Sequence, residues 1–196
     1  MPATLTKPVE GKTFPHLANL DGISQEQLDV HYKLYNGYVT NVNTLYDKYN
    51  SVPVGTPEWN ELKRRYGFEV NGVYLHELYF NNMKPSGGAA PTTGKLAQAL
   101  IDNFGSVEAW QTDFQATGKM RGIGWVIMYQ DPATHRLINC WVSDHENGHP
   151  AGFTPVLVMD VWEHAFAVDY TPTGKPNYIE AFFKNINWTV VESRLA

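Results

Sequence analysis

Cysteine is almost missing from this chain: Cys140 is the one thiol in 196 residues. A lone thiol excludes an internal disulfide framework and any metal site built from several thiolates of one chain. Positive charge is also short, with 15 Lys and Arg against 20 Asp and Glu and a formal net charge of −5. A general nucleic-acid binder needs a basic footprint, so that class is set aside. No apolar run approaches the roughly 18 residues that a membrane span requires. The stretch from Met1 to Phe14 lacks the apolar centre of a secretory signal. These absences predict a soluble, cytoplasmic protein with neither nucleic acid nor membrane as partner. What is present, 43% hydrophobic residues and 18% charged ones, suits a globular core and not disorder.

The pattern along the chain predicts an α+β protein. Met1 to Gly22, with three prolines and little periodicity, reads as an arm over the body. Ser24-Gln25-Glu26-Gln27 reads as a capping box, with Gln27 placed to reach back to the cap. Leu28, Tyr35, Tyr38, Val42, Leu45 and Tyr49 then recur with helical spacing to about Asn50. Thr56-Pro57-Glu58 opens a second helix, which Gly67 is expected to end, and a third apolar-periodic piece spans Val73 to Met83. Lys84 to Pro91 is the richest Pro/Gly/Ser stretch and the best boundary. Two short helices follow, one closed by Gly105 and one capped by Ser106. Beyond Gly122 come β-prone runs at 124–129, 137–142 and 155–159, and Tyr178 to Leu195 has helical spacing. The expected layout is an arm and antiparallel helical hairpin over 1–90. An α/β domain over 91–196 follows, with a three-stranded antiparallel sheet and flanking helices.

Chemistry centres on seven histidines. His16, His135 and His149 lie in loop-like contexts and read as ordinary residues. His31 lies on the long helix, and His76 sits in the aromatic run Val73 to Phe80. His164 follows Asp160 by four residues at the end of an apolar strand. A straight strand sets them about 13 Å apart at roughly 3.3 Å per residue, so shared ligation requires a turn after Asp160. The residues alone leave the alternative that Asp160 caps a helix and His164 merely packs.

Several segments together resemble the iron/manganese superoxide dismutases. Asp160-Val161-Trp162-Glu163-His164-Ala165 is similar to that family's signature segment, and Gly122-Ile123-Gly124-Trp125 to its glycine-flanked tryptophan. Asn185-Ile186-Asn187-Trp188 matches the stretch near its C-terminus. Ile23 to His31 with Tyr38-Val39-Thr40-Asn41 matches its first helix, and His76 with Leu78-Tyr79-Phe80 its second. The resemblance runs in order from about residue 15. It implies one Fe or Mn ion per subunit on His31, His76, Asp160 and His164, plus one solvent molecule. Three neutral imidazoles and a carboxylate suit such a borderline ion. Superoxide is the implied substrate, oxidised to dioxygen in one half-reaction and reduced to hydrogen peroxide in the other. Tyr38 is the implied gateway tyrosine, with Trp125 and Trp162 walling the site. Glu163 is implied to reach a second subunit's ligand histidine, which predicts a homodimer or tetramer.

The chain departs from the family at four places. His31 to Tyr38 is one residue shorter than usual, yet seven steps at about 100° keep both on one face. Leu34 and Tyr35 stand where the family has a further histidine, and Ala167 stands where it has that histidine's tyrosine partner, which predicts a remodelled substrate funnel. Asp144-His145-Glu146-Asn147 occupies the segment of the usual solvent-binding glutamine. His145 takes that role, with an expected titration near neutrality. Lys175 replaces an entrance arginine, keeping the charge that draws in an anion. Two rival readings are a zinc-dependent hydrolase, weakened by the lack of an H-E-x-x-H motif, and a non-enzymatic Fe/Mn-binding protein on the same fold.

Overall fold

A computed structural model describes residues 8–196. Ser24 caps α1 (Gln25–Ser51) by accepting the Gln27 N–H at 3.0 Å. Thr56 caps α2 (Pro57–Asn81) in the same way. The two long helices are joined by the short turn after Ser51 and pack as a hairpin. Leu28, Val39, Val42 and Leu45 of α1 and Val73, Leu75 and Tyr79 of α2 are buried in the core.

Gly67 does not end a helix: α2 runs unbroken through it to Asn81. A helical glycine costs about 1 kcal/mol relative to alanine, a penalty that packing along a hairpin of this length outweighs. The second half contains α3 (Gly94–Phe104), α4 (Val107–Lys119), β1 (Trp125–Gln130), β2 (Leu137–Val142) and β3 (Thr154–Asp160). The strands form an antiparallel sheet in the order β2-β1-β3. β1 is buried along its whole length as the central strand. The closing segment is two helices rather than one, α5 (Lys175–Lys184) and α6 (Trp188–Ser193), broken where Met83 and Ile186 form a β-bridge.

Register places chemistry at one end of the sheet. Trp125 pairs with Asp160 across β1 and β3. The chain reaches that register through Gly124, whose φ of +121° favours glycine and where any Cβ would collide with the Val142 carbonyl oxygen. The two halves are tied by Asn82, buried at the end of α2. Its side chain donates to Val158 O on β3 and accepts from Arg194, both at 2.5 Å. His76 on α2 is thereby held against the end of β3.

The described part of the arm crosses the hairpin. Val9 exchanges two hydrogen bonds with the Asn43 side chain, and Lys12 donates through its main chain to the Tyr35 hydroxyl. Residues 1–7 of the expected arm lie outside the described residues.

Candidate metal centre

Four side chains from three distant parts of the chain meet at the rim of the sheet. His31 Nε2 lies 3.0 Å, His164 Nε2 3.2 Å and His76 Nε2 3.7 Å from Asp160 Oδ2. One ligand atom from each residue lies within 4.8 Å of the others. Nitrogen and oxygen donors bound about 2.1 Å from one ion stand about 3 to 4 Å apart, so the spacing fits a shared cation. His31, His76 and Asp160 are fully buried, and His164 keeps 19% of its side chain exposed.

The turn required after Asp160 is made by Asp160 itself. Its Oδ1 accepts the Trp162 N–H at 2.8 Å, and a single 3-10 turn over Glu163–Ala165 swings His164 back. Gln27 secures that turn from α1. It donates to the His164 carbonyl at 2.7 Å and accepts the Val168 N–H at 2.9 Å. Its side chain is therefore spent on the ligand loop, and the expected reach back to the Ser24 cap does not form. A capping-box pattern does not reveal this use, because the loop lies 137 residues away.

His76 carries the sharpest chemical constraint. Its Nδ1–H donates to the Gly72 carbonyl at 2.5 Å, which leaves Nε2 with a lone pair. That atom is buried and has no hydrogen-bond partner among the described residues. Burial and the neighbouring His31 push its pKa well down, so the ring is neutral. A lone pair facing a carboxylate oxygen in a dry interior is unfavourable unless a cation stands between them. Asp160 is itself held far below the usual carboxylate range by His164 and His31, against an opposing burial effect. The donor set is thus one carboxylate and three imidazoles, and it fits a redox-capable first-row ion.

Beside this cluster, His145 and Tyr38 meet at 2.7 Å through Nε2 and the phenol oxygen. Trp125 Nε1–H, which can only donate, bonds to His145 Nδ1 at 3.0 Å. The neutral ring therefore carries its proton on Nε2 and donates it to Tyr38. Burial raises Tyr38 to about 12, so the phenol stays protonated at neutral pH with its own O–H directed away from His145. Phe68 packs on His145 with ring centroids 4.5 Å apart, and Trp162 lies 5.1 Å away on the same ring.

The expected titration of His145 near neutrality is not what its surroundings produce. Burial, only partly opposed by Asp160, lowers its pKa to about 4. An unfolded histidine titrates near 6.5, so between about pH 6.5 and 4 the unfolded chain binds the extra proton. The stability owed to the neutral ring is complete above pH 6.5 and is lost as pH falls toward 4, an effect on the order of 3 kcal/mol. Unfolding free energies measured across that range are expected to slope less steeply in His145→Gln than in the parent.

Other expected site residues fall at varied distances from the cluster. Tyr35 is fully buried with its ring 6.4 Å from that of His76. Its hydroxyl donates to Glu77 at 3.0 Å, and Glu77 in turn binds Lys12 Nζ at 2.5 Å. Tyr35 thus joins a polar knot with the arm. Lys175 donates to the carbonyls of Met120 and Gly122 at 2.5 and 3.4 Å and is not drawn into the cluster. Glu163 is exposed, and Ala167 is exposed beside it. Gly72, which sequence reasoning passed over, both accepts the His76 proton and makes room for the Tyr38 ring.

Comparison with known proteins gives two family matches. Residues 16–84 match the α-hairpin domain of the iron/manganese superoxide dismutases, and residues 92–194 match their C-terminal domain. A relative from Cupriavidus metallidurans called superoxide dismutase [Fe] is 36% identical over 185 residues, covering 91% of both chains. One from Aquifex pyrophilus with the same name is 36% identical, covering 90% of this chain and 85% of its own. A superoxide dismutase [Mn] from Haloarcula marismortui is 39% identical over 117 residues, 60% of this chain and 56% of the relative.

Proposed function

The chain belongs to the iron/manganese superoxide dismutase family, and we propose that His31, His76, Asp160 and His164 hold its metal while Tyr38 and His145 serve the substrate. It is an oxidoreductase that dismutes superoxide: two superoxide anions and two protons become one dioxygen and one hydrogen peroxide. Its cofactor is iron or manganese, one ion per subunit. Held by His31, His76, Asp160 and His164, such an ion would supply the one-electron couple that dismutation needs. The observation that carries the site is His76 Nε2, a buried lone pair aimed at the Asp160 carboxylate with no donor between.

The remaining work falls to the chain. Three neutral imidazoles and one carboxylate leave a bound cation with residual positive charge toward an anionic substrate. Trp125 and Trp162 wall the site with indole rings, which keeps the local dielectric low and strengthens that attraction. Tyr38 holds a proton beside the cluster, and His145 Nε2–H fixes the position of the phenol oxygen that carries it. Lys175 and Tyr35 belong to the surrounding shell, Lys175 as a positive charge near the Gly122-Trp125 segment.

We place the protein in the cytoplasm and read it as a homodimer or tetramer, with a boundary between its two domains near residues 90 and 91. No described helix is long and apolar enough to cross a membrane. The exposed Glu163 carboxylate makes no ion pair among the described residues, which supports reading it as the group that orients the His164 of a second copy. Elemental analysis of the purified protein, paired with a superoxide assay, tests the reading. About one iron or manganese per chain and activity proportional to it are expected. Zinc in place of both ions, or full loading without dismutation, would overturn it.

A further inference from the structure

His149 has the sequence context of an ordinary loop histidine, but its surroundings are those of a clamp. The ring is half-buried between the sheet and the loop that carries His145. Its Nε2 lies 2.9 Å from the His145 carbonyl oxygen, and its Nδ1 lies 2.5 Å from the hydroxyl of Tyr129. A carbonyl only accepts, so the proton sits on Nε2 and Nδ1 receives the Tyr129 O–H. Both nitrogens of the ring are thereby used, one on the loop and one on the strand.

β1 consequently grips His145 twice. Trp125, at the start of the strand, donates to the ring, and Tyr129, four residues on and 2% exposed, holds the main-chain oxygen through His149. The main-chain bonds of residues 143–147 are otherwise internal to the loop. The Asp144 carboxylate accepts the Glu146 and Asn147 main-chain N–H groups, and Ser143 N–H donates to Asn147 O. They shape the loop but do not tie the His145 carbonyl to the sheet. Without His149 the His145 carbonyl loses its tie to the strand, and only the ring's bonds to Trp125 and Tyr38 and its packing on Phe68 and Trp162 are left to fix its aim.

We propose that His149 is a positioning residue for the dismutation. By anchoring the carbonyl of His145 to Tyr129, it keeps the His145 imidazole aimed at the Tyr38 hydroxyl. This rests on the assignment of His145 to the substrate site made above.

A double-mutant cycle on the metal-loaded protein tests it. His149→Leu is expected to lower kcat about tenfold, the scale seen when a partner supporting a functional group is lost. His149→Gln, whose amide donates to the carbonyl and accepts from the phenol, is expected to recover to within about threefold of the parent. In a His145→Ala background, His149→Leu is expected to cost less than about twofold, because the residue it positions is gone. A crystal structure of metal-loaded His149→Leu is expected to show the His145 ring displaced from Tyr38. Should His149→Leu not fold, Tyr129→Phe removes only the donor to Nδ1, and its loss of kcat is likewise expected to vanish in the His145→Ala background. Equal proportional losses in both backgrounds, or an unmoved His145 ring, overturn the positioning role. A His145→Ala protein with parental kcat instead overturns the assignment of His145 and the proposal with it.

Discussion

His76→Ala is expected to abolish dismutation and metal retention together. Loss of an outer partner of a metal ligand costs roughly 10- to 100-fold in affinity, and loss of a ligand costs more. The ring also packs against His31, Tyr38 and Trp125, so alanine leaves a cavity that lowers stability whether or not metal is present, while its only hydrogen bond is to its own helix at Gly72. The metal-free proteins separate this cause from misfolding. Chelation is expected to lower the melting temperature of the parent, because a ligand that binds only the folded state adds RT ln(1 + [L]/Kd) to stability. The same treatment is expected to leave His76→Ala unchanged. The metal-free parent retains a lone pair opposed to a carboxylate in its core, and the variant does not. An active His76→Ala protein, or one whose melting still responds to chelation as the parent's does, contradicts the ligand assignment.

The elements around the cluster were legible in the sequence to different degrees, for identifiable physical reasons. The Ser24 cap, the apolar face of α1 and the three strands depend on local spacing, and the structure contains them. The turn between Asp160 and His164 was demanded by distance alone, and Asp160 Oδ1 makes it. Where local rules failed, a distant partner had intervened. Gly67 carries the signal of a helix end, but the hairpin packing of α2 against α1 continues through it. Gln27 carries the signal of a reciprocal cap, but the ligand loop offers it a donor and an acceptor at once. Tyr35 stood out as a departure, yet its connection to Glu77 and Lys12 depends on how the arm crosses the hairpin. His149 had no periodicity to mark it, since its two partners lie 20 residues before it and four residues before it.

Gly72→Ala is expected to remove most of the activity while changing stability little, and the reason lies in one close contact. An interior helical glycine normally gains about 1 kcal/mol on replacement by alanine. At this position an added Cβ meets Tyr38 Cδ1 at 2.5 Å, Cγ at 2.8 Å and Cε1 at 3.0 Å. The near edge of an aromatic ring cannot flex away as the tip of a long side chain does, and α2 is held by its hairpin partner. The Tyr38 ring must therefore move, and as a half-buried side chain it can turn toward solvent. Overpacking costs about 1 to 3 kcal/mol where nothing yields, a range that the helical gain and this escape bring close to zero. The hydroxyl then leaves His145 Nε2, and displacement of a reacting group by about 1 Å costs up to 10²-fold in rate. Thermal unfolding within a few degrees of the parent, with kcat reduced at least as far as in Tyr38→Phe, is the expected pair of results. Full activity in Gly72→Ala means that the Tyr38 hydroxyl does not need its place beside His145. A protein that has lost both stability and metal points instead to the His76 hydrogen bond that starts from the same residue.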